Sequence, residues 1–214
     1  MNRHPRTPRP ALYHDSTPPL RFANSPQWQV PDAACCRSLW NKYAMPDHIR
    51  HHSEHVAAVA EFVARTGADM GLAVHVPSVI ACALLHDIAK SYTIVHGGNH
   101  SQLGASIVMQ ECGNPHVAQG VLHHVHWPWQ LDVDAWFLPL CIIYADKRVM
   151  HDRVVALDER FDDLNVRYGK TERIRQRIHE SYVQSVAIET AFSRRMGTPL
   201  HAYSLDSGRM VQRT

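Results

Sequence analysis

Beyond residue 33, apolar positions recur every three or four residues, the period of helices that bury one face. The spacing predicts helices near 34–44, 47–66, 77–91 and 100–112, the last stopped by Gly113. Asn114 as N-cap and Pro115 at the first helical position announce another. A long helix is expected over roughly 135–168, with Pro139 near its start and Gly169 at its end. A last one covers 171–196 and is closed by Gly197. No segment alternates as a strand does, and no internal repeat is visible. The expected fold is therefore all-α, a bundle of about six or seven helices. Residues 1–33 hold seven of the 13 prolines and little periodicity, which predicts a disordered or loosely attached tail. The helical domain is expected over 34–200, with 201–214 as a C-terminal tail.

The same pattern is informative where it is broken. In "ALLHDIAKS", residues 83–91, His86 and Asp87 interrupt an apolar run that resumes at Ile88. A buried carboxylate without a partner is too costly to be incidental, so the chain should supply something to neutralise it. In the helix after Pro46 the stripe is Ile49, Val56, Val59 and Val63, and His52 completes it while His51 points elsewhere. After Pro115 the stripe Val117, Val121 continues to His124 and leaves His123 aside. In the long helix Ile143, Asp146, Met150, Val154, Leu157, Phe161, Leu164 and Tyr168 advance by threes and fours, which turns Asp146 inward. His100 follows a Gly-rich turn at the mouth of its helix. One inward histidine is ordinarily a hydrogen-bonded core residue. Four histidines and two aspartates together favour one or two divalent first-row transition metals.

Composition narrows the classes. Twelve of the 17 histidines fall between positions 48 and 126. Lys plus Arg number 22 against 20 Asp plus Glu, a balance that points to neither nucleic acid nor a membrane surface. No apolar run approaches the roughly 20 residues of a spanning helix, and no secretory signal pattern is expected. Cys35, Cys36, Cys82, Cys112 and Cys141 form no CxxC spacing, which predicts free thiols in a reducing, cytoplasmic setting. The arginines of the tail, Arg3, Arg6 and Arg9, read as solvated or as contacts for an acidic partner.

"HSEHVA" (52–57), "LLHDIAK" (84–90), "HSQLGA" (100–105), "HH" (123–124) and "YADKRV" (144–149) occur in the order found in the HD superfamily of metal-dependent phosphohydrolases. The chain resembles that superfamily, an all-helical fold named for its His-Asp doublet, and its binuclear branch in particular. That branch includes bacterial diadenosine tetraphosphate hydrolases. The resemblance implies that His52, His86, Asp87 and Asp146 hold a first metal, and that His100 and His124 hold a second, with Asp87 bridging. It also implies a phosphorylated small molecule, a nucleotide above all, as substrate. Iron or manganese are the expected ions, with zinc, cobalt or nickel as alternatives. "DIAK" stands where "DIGK" is frequent, the stretch from Asp87 to His100 is short, and the GYP motif of cyclic-di-nucleotide phosphodiesterases is absent.

Such a pair of ions would lower the pKa of a shared water, making a metal-bridging hydroxide available to attack phosphorus near neutral pH. Asp87 would then be catalytic. Lys90, at i+3 from Asp87 and i+4 from His86, is a candidate to contact phosphate; the alternative is a solvated helix-end cation. Lys147 and Arg148 are further substrate-binding candidates beside the surface-cation alternative, and Trp127 and Trp129 could stack on a base or simply pack. Two other functions fit the same ligands: an HD-fold di-iron oxygenase and a non-catalytic nucleotide-sensing or interaction module. No nucleic-acid or membrane partner is expected; a homodimer is compatible with the sequence.

Overall fold

The structure, a computed structural model, describes residues 20–206 and 209–212. The prolines and arginines of residues 1–19 lie outside the described residues. Nine α-helices are found among the described residues. They are α1 (Ala33–Lys42), α2 (Asp47–Asp69), α3 (Val76–Leu85), α4 (Lys90–His96), α5 (His100–Cys112), α6 (Pro115–His123), α7 (Phe137–Lys147), α8 (Leu157–Tyr168) and α9 (Glu172–Met196). The all-α architecture is as the periodicity predicts. Two short antiparallel hairpins join it, β1 (Val149–Met150) with β2 (Arg153–Val154), and β3 (Tyr203–Asp206) with β4 (Arg209–Gln212).

α7 is the axis of the molecule. Every residue from Phe137 to Asp146 is buried, as a helix apolar on all sides must be. α2, α3, α6 and α9 pack around it, and α5 lies against α6. Close approach needs small residues: a Cβ added at Gly120 of α6 would stand 2.5 Å from Cys82 Sγ of α3 and 3.1 Å from Leu138 Cγ of α7. Helix ends follow local chemistry. The Asn114 side chain is fully buried; it accepts from Val117 N at 3.0 Å and donates to the Gln29 carbonyl at 3.2 Å, so it caps α6 and fastens the incoming chain. Gly113 and Gly197 close α5 and α9 in the left-handed conformation.

Three expectations need correction. The helix expected over 77–91 breaks after Leu85, and residues 86–89 form tight turns closed by Ile88 N to Leu85 O and Lys90 N to Asp87 O. The helix expected over 135–168 ends at Lys147, and β1–β2 intervenes before α8. His151, with φ of 57°, makes the reversal, and the inward Val149, Met150 and Val154 of the hairpin mimic helical spacing. Residues 76–96 do reach the length and apolar character of a spanning helix, contrary to the sequence expectation. They are split between α3 and α4 and are largely buried against protein. The five cysteines are free. The hairpin β3–β4 lies within 201–214, and β4 packs on α2.

Candidate metal centre

His86 and His124 occupy equivalent places. Each is the C-cap of its helix, α3 or α6, where the carbonyls of the last turn lack amide partners. His86 Nδ1 donates to the Ala83 carbonyl at 2.6 Å, and His124 Nδ1 donates to Val121 at 2.7 Å. Those bonds place the proton on Nδ1 and leave the Nε2 lone pairs facing inward. His86 is 0% exposed and Asp87 1%. A regular helix turns neighbouring side chains about 100° apart; at the break after Leu85 both face the interior.

The remaining residues arrive from three other elements. His52 comes from the first turns of α2, Asp146 from the end of the buried α7, and His100 from the start of α5, whose cap Asn99 accepts from Ser101 N and Gln102 N. His52 Nε2 lies 3.0 Å from Asp146 Oδ1, His86 Nε2 lies 3.8 Å from the same oxygen and 3.4 Å from Asp87 Oδ2. On the other side of Asp87, Oδ1 is 3.5 Å from His100 Nε2 and 3.7 Å from His124 Nε2, and those two nitrogens are 3.1 Å apart. Two ligand groups result, His52–His86–Asp87 and Asp87–His100–His124, each with its donor atoms within 4.8 Å of one another. Asp87 belongs to both and turns one oxygen to each. Donor atoms around one ion at bonds of about 2.0–2.2 Å stand about 3–3.5 Å apart, so these separations suit metal ligation.

Hydrogen bonding tests the fit independently. Among the described residues, His86 Nε2 and Asp87 Oδ1 are buried with no hydrogen-bond partner. Orphaned acceptors of this kind are uncommon in native interiors, and a cation in each ligand group would satisfy both. Burial, the largest influence on Asp87, pushes its pKa up; His86, Lys90 and His124 together outweigh it and hold the carboxyl well below the usual range. Asp146 follows the same balance, with Lys147, His52 and His86 opposing burial. Burial pushes His52 down despite Asp146. Burial and then His124 push His100 down to about 4, against the pull of Asp87. Ionised carboxylates and neutral imidazoles are the ligating forms. His86 differs: burial acts downward, but Asp87, Asp146 and the Ala83 carbonyl outweigh it and raise the pKa. That direction reports the negative charge of Asp87 and Asp146 buried around the ring.

Two lysines now sit on the carboxylates. Lys90 Nζ is 2.6 Å from Asp87 Oδ2, and Lys147 Nζ contacts Asp146 Oδ2. Both stand beside the ligands, and Lys147 is largely enclosed rather than a surface cation. Arg148 does not reach the site. It is 0% exposed, and its guanidinium donates to the carbonyls of Val155, Leu200 and Tyr203 and to the Tyr144 hydroxyl. It ties β2 and the C-terminal segment to α7. Trp127 is buried, its indole donating to the Gln130 carbonyl, so it packs; Trp129 is half-buried against His123. Sequence reasoning missed Arg160 on α8, whose Nε is buried without a partner. The available signal was its position at i+3 from Leu157 and i−4 from Leu164, on the inward stripe.

A helical bundle carrying two clusters of imidazole and carboxylate ligands around a shared aspartate defines a metal-binding protein of the HD type. The chain belongs to the HD domain family, which it matches over residues 52–164, more than half its length. The match begins at His52 and spans all six ligand candidates. Proteins of this family bind divalent metals and are usually metal-dependent phosphohydrolases. No curated protein and no solved structure matches the chain.

Proposed function

We propose that this protein is a binuclear metal-dependent phosphohydrolase, similar to bacterial HD-type diadenosine tetraphosphate hydrolases. It cleaves a phosphoester or phosphoanhydride bond of a nucleotide or similar phosphorylated small molecule in the cytoplasm. The observation that carries this reading is the division of Asp87: Oδ2 faces one ligand group, Oδ1 the other, and Oδ1 is buried without a hydrogen bond. His52, His86, Asp87 and Asp146 would hold the first ion, and Asp87, His100 and His124 the second. Iron or manganese suit this nitrogen and oxygen donor set. When bound, such ions supply Lewis-acid activation of water and neutralise phosphate charge.

The protein's own groups do the rest. The Nδ1–H bonds to Ala83 and Val121 fix the His86 and His124 rings before any ligand arrives. Lys90 and Lys147 offset the Asp87 and Asp146 charges. With ions held by those carboxylates, the two ammonium groups would be free to pair with phosphate oxygens. They serve as substrate-binding groups at the rim, and Lys90, with 40% of its side chain exposed, is the more accessible.

The test is a phosphate-release screen of manganese- or iron-loaded protein over nucleotides, dinucleoside polyphosphates and cyclic nucleotides, with oxygen consumption followed in parallel. Metal-dependent phosphate release from one of these classes is expected. Oxygen uptake by iron-loaded protein without phosphate release would identify the oxygenase instead. Ligand binding with neither activity would identify a sensing module.

A further inference from the structure

Three of the ligand candidates stand at the C-terminal ends of central helices: His86 after α3, His124 after α6 and Asp146 in the last turn of α7. The opposite ends of the same helices enclose a cavity of about 450 Å³. It is lined by His75 at the start of α3, His116 and Gln119 on the first turns of α6, and Trp136 at the start of α7. None of the six ligand candidates lines it. At about 1.5 Å per residue, the helices set it about 10–15 Å from them. Its volume suits a small organic molecule.

The outer wall is the chain entering α1, fastened there by side chains of the cavity itself. Gln119 accepts from Phe22 N at 3.3 Å and donates to the Leu20 carbonyl, and His116 Nδ1 donates to the Phe22 carbonyl at 2.6 Å. Arg21 completes that wall, 5.9 Å from the centroid of the Trp136 ring.

Hydrogen bonding gives the two imidazoles opposite roles. His75 Nδ1 accepts from the Ser78 amide at 3.3 Å, so its proton is on Nε2, a donor. His116 donates through Nδ1. Burial, joined by His75 and Arg21, pushes its pKa down against the pull of the Phe22 carbonyl, so the ring is neutral and its Nε2 is an acceptor. Neither Nε2 has a hydrogen-bond partner among the described residues. One donor, one acceptor and an indole face on a single cavity suit a planar heterocycle that carries an N–H group and a ring acceptor on one edge.

We propose that this cavity is a second ligand site, which takes the base of a nucleoside or nucleotide against Trp136, with His75 donating to it and His116 accepting from it. The site is separate from the metal centre and does not depend on what that centre hydrolyses. A ligand there would touch the starts of α3, α6 and α7, whose other ends carry His86, His124 and Asp146.

Calorimetric titration of manganese-loaded protein with adenosine, guanosine, cytidine and uridine tests it, since a nucleoside carries no phosphate for the metal centre. At least one of the four should bind with a Kd below about 1 mM. Trp136→Leu and His116→Phe should each weaken that binding by about tenfold or more, at unchanged manganese stoichiometry. Ala73→Phe, at an exposed lining position, should do the same by filling space, and it decides the matter if the other two variants do not fold. Lys90→Gln, at the metal centre, should leave nucleoside affinity unchanged. Binding that survives the cavity variants overturns the proposal, and its loss in Lys90→Gln would place the base at the metal centre instead. No binding of any of the four nucleosides at about 1 mM overturns it as well.

Discussion

A histidine that closes a helix can hand its Nδ1 proton to the carbonyl three residues earlier, and His86 and His124 both do so. The arrangement makes one ring nitrogen a fixed acceptor, the state a metal ligand needs. Rotation of helical phase by one residue removes it. His52→Ala and His124→Ala should each lose bound metal, whereas His51→Ala and His123→Ala should retain it. His51 is exposed and His123 packs against Trp127 and Trp129. Elemental analysis of the four variants checks this; metal loss in the second pair alone would mean that the inward faces are misassigned. Five of the six ligand candidates stood out in the sequence because each sits on an apolar stripe or in an apolar run, where its burial is improbable without a partner; His100 was singled out by its Gly-rich turn and by the order of the motifs. Arg148 was misread for the complementary reason. An arginine after a helix looks solvated until the carbonyls of Val155, Leu200 and Tyr203, distant in sequence, close around it.

At the scale of elements, the centre depends on how closely α3, α6 and α7 approach. Gly120→Ala would add about 1 kcal/mol of helix propensity yet push a methyl against Cys82 Sγ and Leu138 Cγ. Overpacking costs about 1–3 kcal/mol, so the variant should be less stable in urea unfolding. Equal or higher stability would show that α3 yields easily. Asn114→Ala removes both the α6 cap and the tie to Gln29 and should cost about 1–2 kcal/mol. A loss well below that would assign α6 its stability from packing alone. Helix starts were readable from Asn114–Pro115 and from Gly113 and Gly197 because caps act within a few residues. The break after Leu85 and the β1–β2 hairpin were not. Tight turns and a two-residue reversal preserve the inward spacing of Met150 and Val154, so periodicity alone cannot separate them from helix.

Across the whole molecule, six ligands come from α2, the turn after α3, α5, the end of α6 and α7, so an ion would join elements from residue 52 to residue 146. Binding to the folded state alone stabilises by about 2.7 kcal/mol when the free ion is at 100 times its Kd. Chelation should therefore lower the melting temperature by several degrees, and added manganese should restore it. Arg148→Met tests the other long-range tie. It removes the donor that three carbonyls and Glu189 share, so stability should fall by about 3 kcal/mol while metal content per folded molecule holds. Loss of metal at full stability would return Arg148 to the site.

One carboxylate serving two ions is the central feature of this centre, and metal stoichiometry of the unmodified protein and of Asp87→Asn measures it directly. Asn keeps the shape, removes the charge and replaces one ligating oxygen by an amide that cannot ligate through nitrogen. The unmodified protein, saturated with manganese or iron, should hold two ions per chain, and Asp87→Asn should weaken both sites together. A single equivalent under saturating metal, or an Asp87→Asn protein that still holds two ions, would contradict it.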